Sequence, residues 1–121
     1  MRYMCLAFGD RDKMAALSRN EMDAIMKECM PYVEELHKTG HLITDEGLSL
    51  EATTIRPRNG KVSVIDGPFA ETKELVGGVF VIEARDLNEA ILLASKHPAA
   101  HVGEHLGWGI EVRPIAVLQK R

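Results

Sequence analysis

Two carboxylates, Asp66 and Glu71, flank the turn in the stretch Asp66-Gly67-Pro68-Phe69-Ala70-Glu71-Thr72-Lys73-Glu74. Such a pair can divide acid and base work when one member is buried and the other solvated, because desolvation raises the pKa of the buried one alone. On that reading Asp66 is the candidate catalytic residue, and Arg56, Phe69, Glu71 and Trp108 are the candidate ligand contacts. Arg56 ends a β-prone run, from which its guanidinium reaches either an anionic ligand or Glu71. Asp66 also has a purely structural reading. An aspartate before Gly-Pro commonly accepts backbone N–H groups of the turn that follows, here those of Phe69 or Ala70, because Pro68 has none. The turn-building role is expected to dominate, with the side chain at a pocket edge. Lys73 is expected to be solvated.

The histidines offer a second kind of chemistry. His97, His101 and His105 recur every four residues, which on a continuous helix would align them as metal ligands. Pro98 and Gly103 interrupt that helix, so no metal site and no cofactor are expected, and the segment reads as a loop before the last strand. Within it Trp108 lies among glycines, either as an anchor at a subunit interface, the favoured reading, or as one wall of a pocket. His37 and His41 flank Gly40 at the end of a helix, where a histidinium is stabilised by the macrodipole without any catalytic role. Cys5 and Cys29 match neither a disulfide framework nor a metal-binding spacing and are expected to be buried and reduced.

The elements that must position these residues are legible from periodicity and punctuation. Tyr3-Met4-Cys5-Leu6-Ala7-Phe8, closed by Gly9-Asp10, is a continuous apolar run suited to a central strand buried on both faces. Ser18 and Glu21 form a capping box, after which Met22, Ile25, Met26, Cys29, Val33 and Leu36 mark one buried helical face that Gly40 ends. Pro31 lies inside this pattern and predicts a kink or split over 27–30. Asn59-Gly60 between the runs 53–57 and 62–65 predicts an antiparallel hairpin with a type I′ turn. Gly67-Pro68 then forces a sharp turn, with a single-turn helix expected over 68–73 and a strand over 78–84. Asp86 and Glu89 cap a second helix that Pro98 closes just after His97, and the last strand is expected over 110–118. The reading is an α+β fold, roughly β-α-β-β-β-α-β, with two helices covering one face of an antiparallel sheet.

Composition bounds the function. At 121 residues the chain is expected to form one domain, residues 1–121. Its 15 Lys and Arg against 18 Asp and Glu lack the basic balance that binding a phosphate backbone requires, so nucleic acid is not an expected partner. The apolar start is too short for a signal peptide or a membrane span, which points to a cytoplasmic protein with no membrane partner.

The nonapeptide from Asp66 to Glu74, followed by Gly77-Gly78-Val79-Phe80-Val81-Ile82-Glu83 and a closing Gly109-Ile110-Glu111-Val112-Arg113-Pro114, resembles the DGPF family of the wider YCII-related superfamily. The resemblance implies a ferredoxin-like α+β domain, with an antiparallel sheet and two helices on one face, that forms a homodimer through its sheet as a dimeric α/β barrel. It implies little about activity. Some similar proteins carry a His and Asp pair on and just after the first long helix, proposed as a catalytic dyad. Placed by Gly40, that pattern meets Cys29 and Lys38 here, so the dyad does not carry over. The expectation for function is a small-molecule pocket near Asp66, between sheet and helices, with acid-base enzyme activity open. One alternative is a regulatory or interaction protein associated with extracytoplasmic-function sigma factors. The other is a cofactor-free monooxygenase or isomerase, by fold analogy alone.

Overall fold

The computed structural model describes residues 1–69 and 73–116. β1 (Arg2–Asp10) is followed by α1 (Arg11–Ala15), the long α2 (Arg19–Lys38) and β2 (Leu42–Gly47). A hairpin of β3 (Thr53–Arg58) and β4 (Lys61–Asp66) leads to β5 (Glu74–Glu83), α3 (Leu87–Ala94) and β6 (Gly109–Pro114). Two 3₁₀ turns, Pro98–Ala100 and Glu104–Leu106, fill the connection from α3 to β6. The four-stranded sheet has the order β2-β5-β1-β6, with each neighbouring pair antiparallel. With the hairpin set aside, this β-α-β-β-α-β pattern and strand order are consistent with a ferredoxin-like fold. The sheet is open, with β2 and β6 at its edges.

Alternation along the strands sorts side chains into two faces. Tyr3, Cys5, Phe80 and Ile82 point to one side and form the main core with Leu36 of α2 and Ala90, Leu93 and Ala94 of α3. Both long helices therefore cover the same face. The opposite face carries Met4, Leu6, Val79 and Val81, all partly exposed.

The capping box at Ser18 is formed in both directions, with Glu21 N–H donating to Ser18 Oγ at 3.1 Å and Ser18 N–H to Glu21 Oε1 at 2.9 Å. Of the kink or split expected at Pro31, the split is corrected, since α2 runs through it as one helix. Proline frees the carbonyl four residues earlier, at Lys27, and both positions are exposed, so water can satisfy it while the face of Ile25, Cys29 and Leu36 stays packed. α1 was not foreseen: Asp10 N-caps it, accepting from Lys13 N–H at 3.1 Å. α3 ends at Ala94 rather than His97. The chain tightens there to i→i−3 bonds, from Lys96 N–H to Leu93 and from His97 N–H to Ala94, before the extended residue that Pro98 demands.

The hairpin forms as expected, with Asn59 (φ 52°) and Gly60 (φ 74°) both left-handed in its turn. It is a separate two-stranded sheet and adds no strand to the main one. Gly67 takes φ 112° in the turn after β4. That turn is tied by Gly67 itself, whose N–H donates to the Ala52 carbonyl at 2.8 Å and whose carbonyl accepts from Thr54 Oγ1 at 2.7 Å. Residues 70–72 and 117–121 lie outside the described residues, and with them half of the expected 68–73 helix turn, Glu71, and the end of the expected last strand.

Candidate functional site: a cavity between the sheet and the long helix

The helix-facing side of the sheet is arranged in cross-strand rows. One row is Tyr3, Ile82 and Leu42, the next is Cys5, Phe80 and Asp45, and the third is Ala7, Gly78 and Gly47. The first two rows fill the space beneath the helices. The third has almost no side chains, so the same helix spans a void there. The result is a cavity of about 560 Å³ floored by Ala7, Gly47 and Gly78 and roofed by Met22, Met26 and Cys29 of α2. Met22, Met26 and Val33 belong to the expected apolar face of α2 and border this space, but Met22 and Val33 are only half-buried and Met26 is exposed.

Trp108 closes one end. Its indole lies against Gly103, where an added Cβ would fall 2.2 Å from the ring, and its Nε1–H faces Met14 Sδ at 3.1 Å. Gly103 is left-handed at φ 76°, so both its backbone and its missing side chain are required by the indole. Cys29 in the roof has its thiol pKa raised by burial and by Glu28, which keeps it protonated; in the core Cys5 is pushed up to about 11 by burial.

At the other end lie His97 and Asp45, which with Glu46 and Ser49 are the polar residues of a mainly apolar lining. Asp45 sits in the row of Phe80, and the His97 ring lies flat on Phe80 with centroids 4.3 Å apart and planes 1° from parallel. Pro98 places His97 as the cap of the first 3₁₀ turn, where its Nδ1 accepts the Ala99 N–H at 3.0 Å. A ring nitrogen that accepts a hydrogen bond carries no proton, so the neutral ring is protonated on Nε2. Nε2 faces Asp45 Oδ1 at 3.9 Å, beyond direct hydrogen-bonding distance. Desolvation lowers the His97 pKa, and Asp45 opposes that shift only in part. Among the described residues that line the cavity there is no lysine or arginine.

Of the candidate catalytic and ligand-contact residues Asp66, Arg56, Phe69, Glu71 and Trp108, Trp108 lines this cavity and the others described do not; His97 and Cys29, read from sequence in other roles, line it too. Asp66 lies outside the lining of this cavity. Asp66 borders a smaller recess of about 390 Å³ with Glu51, Ala52 and Thr53, at the base of the hairpin. Its carboxylate is exposed and, among the described residues, takes no part in the hydrogen bonds of its turn, so the expected bond from Phe69 N–H is replaced by the Thr54 contact; the Ala70 alternative lies outside the described residues. Arg56 stacks its guanidinium over Phe69 at 5.1 Å on the exposed hairpin. Lys73 is exposed, with Nζ 3.8 Å from Asp10 Oδ2.

The three histidines spaced by four are dispersed. His97 caps the first 3₁₀ turn, His101 stacks on Tyr32 at 4.7 Å, and His105 lies in the second 3₁₀ turn. Among the described residues no group of three or more His, Cys, Asp or Glu converges on a metal-sized site. His41 places Nδ1 2.8 Å from the Glu83 carbonyl, tying the end of α2 to the sheet. Sequence reasoning weighed His97 only as a metal ligand and passed over Asp45. Its local signal was His before Pro, which marks a cap, but nothing in the chain foretells its meeting with a residue of β2.

The profile of the YCII-related domain matches residues 1–115. The chain belongs to the YCII-related family. It is also similar to an uncharacterised protein of Rhizobium meliloti (strain 1021), with 31% identity over 119 residues that cover 97% of this chain and 94% of that one. In this YCII-related protein the cavity pair is built from β2 and a 3₁₀ turn, whereas the positions where similar proteins carry a dyad hold Cys29 and Lys38. No helix among the described residues is long and apolar enough to cross a membrane.

Proposed function

We propose that this protein, which also resembles the DGPF group within its family, binds a small molecule in the cavity beneath α2 and acts on it by acid-base chemistry. The observation that carries the reading is the His97–Asp45 pair, set in a mainly apolar lining that also holds Glu46 and Ser49, next to a floor of glycine and alanine. An apolar pocket with few convergent polar groups is the usual form of a small-molecule site. Amide resonances assigned by NMR test it during titration with neutral aromatic fragments. Shifts should cluster at Ala7, Gly47, Gly78 and His97. Shifts confined to Glu51, Ala52 and Asp66 would move the site to the hairpin base, and their absence throughout would remove it.

The homodimer is proposed with it. Its support is the partly exposed row of Met4, Leu6, Val79 and Val81 on the sheet face that no helix covers. Light scattering should give twice the chain mass, and a monomer at micromolar concentration would overturn it. A second reading, an interaction module, is favoured by one observation: Ile55, Val62 and Val64 share one face of the hairpin and are 66%, 76% and 62% exposed. Contiguous apolar exposure of this kind marks contact surfaces.

A further inference from the structure

The His97–Asp45 pair differs from a histidine base oriented by an acid. The histidine lone pair that would have to take a proton is on Nδ1, and the Ala99 N–H already occupies it at 3.0 Å. Protonating Nδ1 would break that bond and leave a buried backbone donor facing a buried N–H, at a ring that is 14% exposed and stacked on the fully buried Phe80. His97 is thus held as a neutral ring that only donates, through Nε2–H. The carboxylate of Asp45 is then the proton acceptor of the pair. The 3.9 Å between Nε2 and Oδ1 is too long for a direct bond, which leaves the donor and the acceptor side by side at the cavity wall.

A donor beside an acceptor, with apolar surface around them and no cationic side chain in the described lining, has a specific complement. We propose that the cavity takes a neutral, largely apolar carbonyl compound, whose oxygen accepts from His97 Nε2–H while Asp45 removes a proton from the adjacent carbon. This rests on the cavity reading above and deepens it. The C–H bond breaks, its proton passes to the Asp45 carboxylate, and its electron pair delocalises onto the oxygen as an enolate that the Nε2–H bond stabilises. Return of the proton from the Asp45 carboxyl to the same or a conjugated carbon restores the carboxylate and gives exchange or isomerisation. Nothing is oxidised or reduced, and no co-reactant is consumed. Anionic substrates are disfavoured, because Asp45 is unaccompanied by any lysine or arginine in the described lining.

Four probes of one shape separate the steps: naphthalene, 2-naphthol as a mimic of an enol, 2-naphthoate as an anion, and 2-tetralone as a ketone with an acidic C–H. Trp108, the single tryptophan, reports binding by its fluorescence. 2-Naphthol should bind about tenfold more tightly than naphthalene, the worth of one or two hydrogen bonds, and 2-naphthoate more weakly than either. In D2O the protein should speed loss of the 2-tetralone C1–H signal, and Asp45→Asn should remove about 100-fold or more of that rate. His97→Ala should cost a similar factor, with His97→Gln, which keeps an N–H, recovering part of it. ¹⁵N NMR should show His97 as the neutral Nε2–H form in the free protein at neutral pH. If naphthalene binds as well as 2-naphthol, or if exchange survives Asp45→Asn in a folded variant, the proposal fails while the cavity reading stands. A His97 that is protonated on Nδ1 also overturns it. Failure of all four probes to bind overturns the cavity reading and the proposal together.

Discussion

The hairpin and the cavity are opposite cases of how residues look in a sequence and what they meet in space. The hairpin and the turn after it hold the conspicuous residues: Asn59-Gly60, Gly67-Pro68, Asp66, Arg56 and Phe69. There they shape backbone and face solvent, with Phe69 69% exposed beneath the Arg56 guanidinium. Much of the cavity is lined by residues that draw no attention one at a time, such as Ala7, Gly47 and Asp45, with His97, which the sequence presents only as part of a histidine series. They lie on three separate elements and converge because the sheet register stacks a small-residue row beside the Asp45–Phe80 row. Residues with strong local preferences are most informative about local geometry, and a site made by packing carries little local signal.

The contrast is tested most severely at Phe80, which is fully buried and lies under His97. Phe80→Ala should cost about 4 kcal/mol in urea unfolding, whereas Val62→Ala on the hairpin should stay within about 0.5 kcal/mol. A comparable loss at both would mean that the hairpin is as much a part of the folding core as the sheet.

Gly103→Ala comes next. The new methyl would lie 2.2 Å from the Trp108 ring, on a residue at φ 76°. Overpacking and the left-handed backbone together predict a loss of about 3 kcal/mol and a shifted Trp108 emission. An unchanged emission spectrum would show that the indole does not rest on Gly103.

A smaller effect concerns pH. His97 has a lowered pKa in the folded protein, so the folded state binds fewer protons than the unfolded one below the ordinary histidine value. Its contribution is complete above about pH 6.5, the unfolded value, and is lost as pH falls through the folded one. Unfolding free energy should therefore decline in mildly acidic solution, and His97→Asn should flatten that decline. Asp10 acts in a lower window. The Lys13 backbone N–H, and then Lys73, hold its carboxyl below the usual range, so its contribution is lost only as pH falls below about 4. Asp10→Asn should shrink the acid limb, to which Glu21 and Glu83 also contribute through their own lowered pKa values, and leave the His97 limb unchanged, as read by urea unfolding in the same pH series.

The smallest effects are expected at Asp66. Its exposed carboxylate takes no part in the described hydrogen bonds of its turn, so Asp66→Asn and Asp66→Ala should both change stability by less than about 0.5 kcal/mol. Thr54→Val, which deletes the bond to the Gly67 carbonyl from a buried position, should cost about 1 kcal/mol. Thermal melts that rank Asp66→Ala above Thr54→Val would restore the aspartate as the builder of the turn.

The sequence by itself determined the helix caps at Ser18 and Asp86, the Asn59-Gly60 turn, the central first strand and the break before Pro98. Each depends on the conformational preference or hydrogen-bonding reach of residues within a few positions, so local chemistry suffices. It did not decide whether Pro31 would split α2, because the cost of a lost backbone bond depends on whether water can reach the freed carbonyl, and that is a matter of exposure. Only the tertiary structure decided that the hairpin stands apart from the main sheet, that Thr54 ties the turn at Gly67, and that a void opens where Ala7, Gly47 and Gly78 align. It alone also set His97 against Asp45. The two residues are far apart in the chain, and their distance follows from the pairing register of β2 with β5 and the docking of a 3₁₀ turn on Phe80, neither of which any short stretch of the chain encodes.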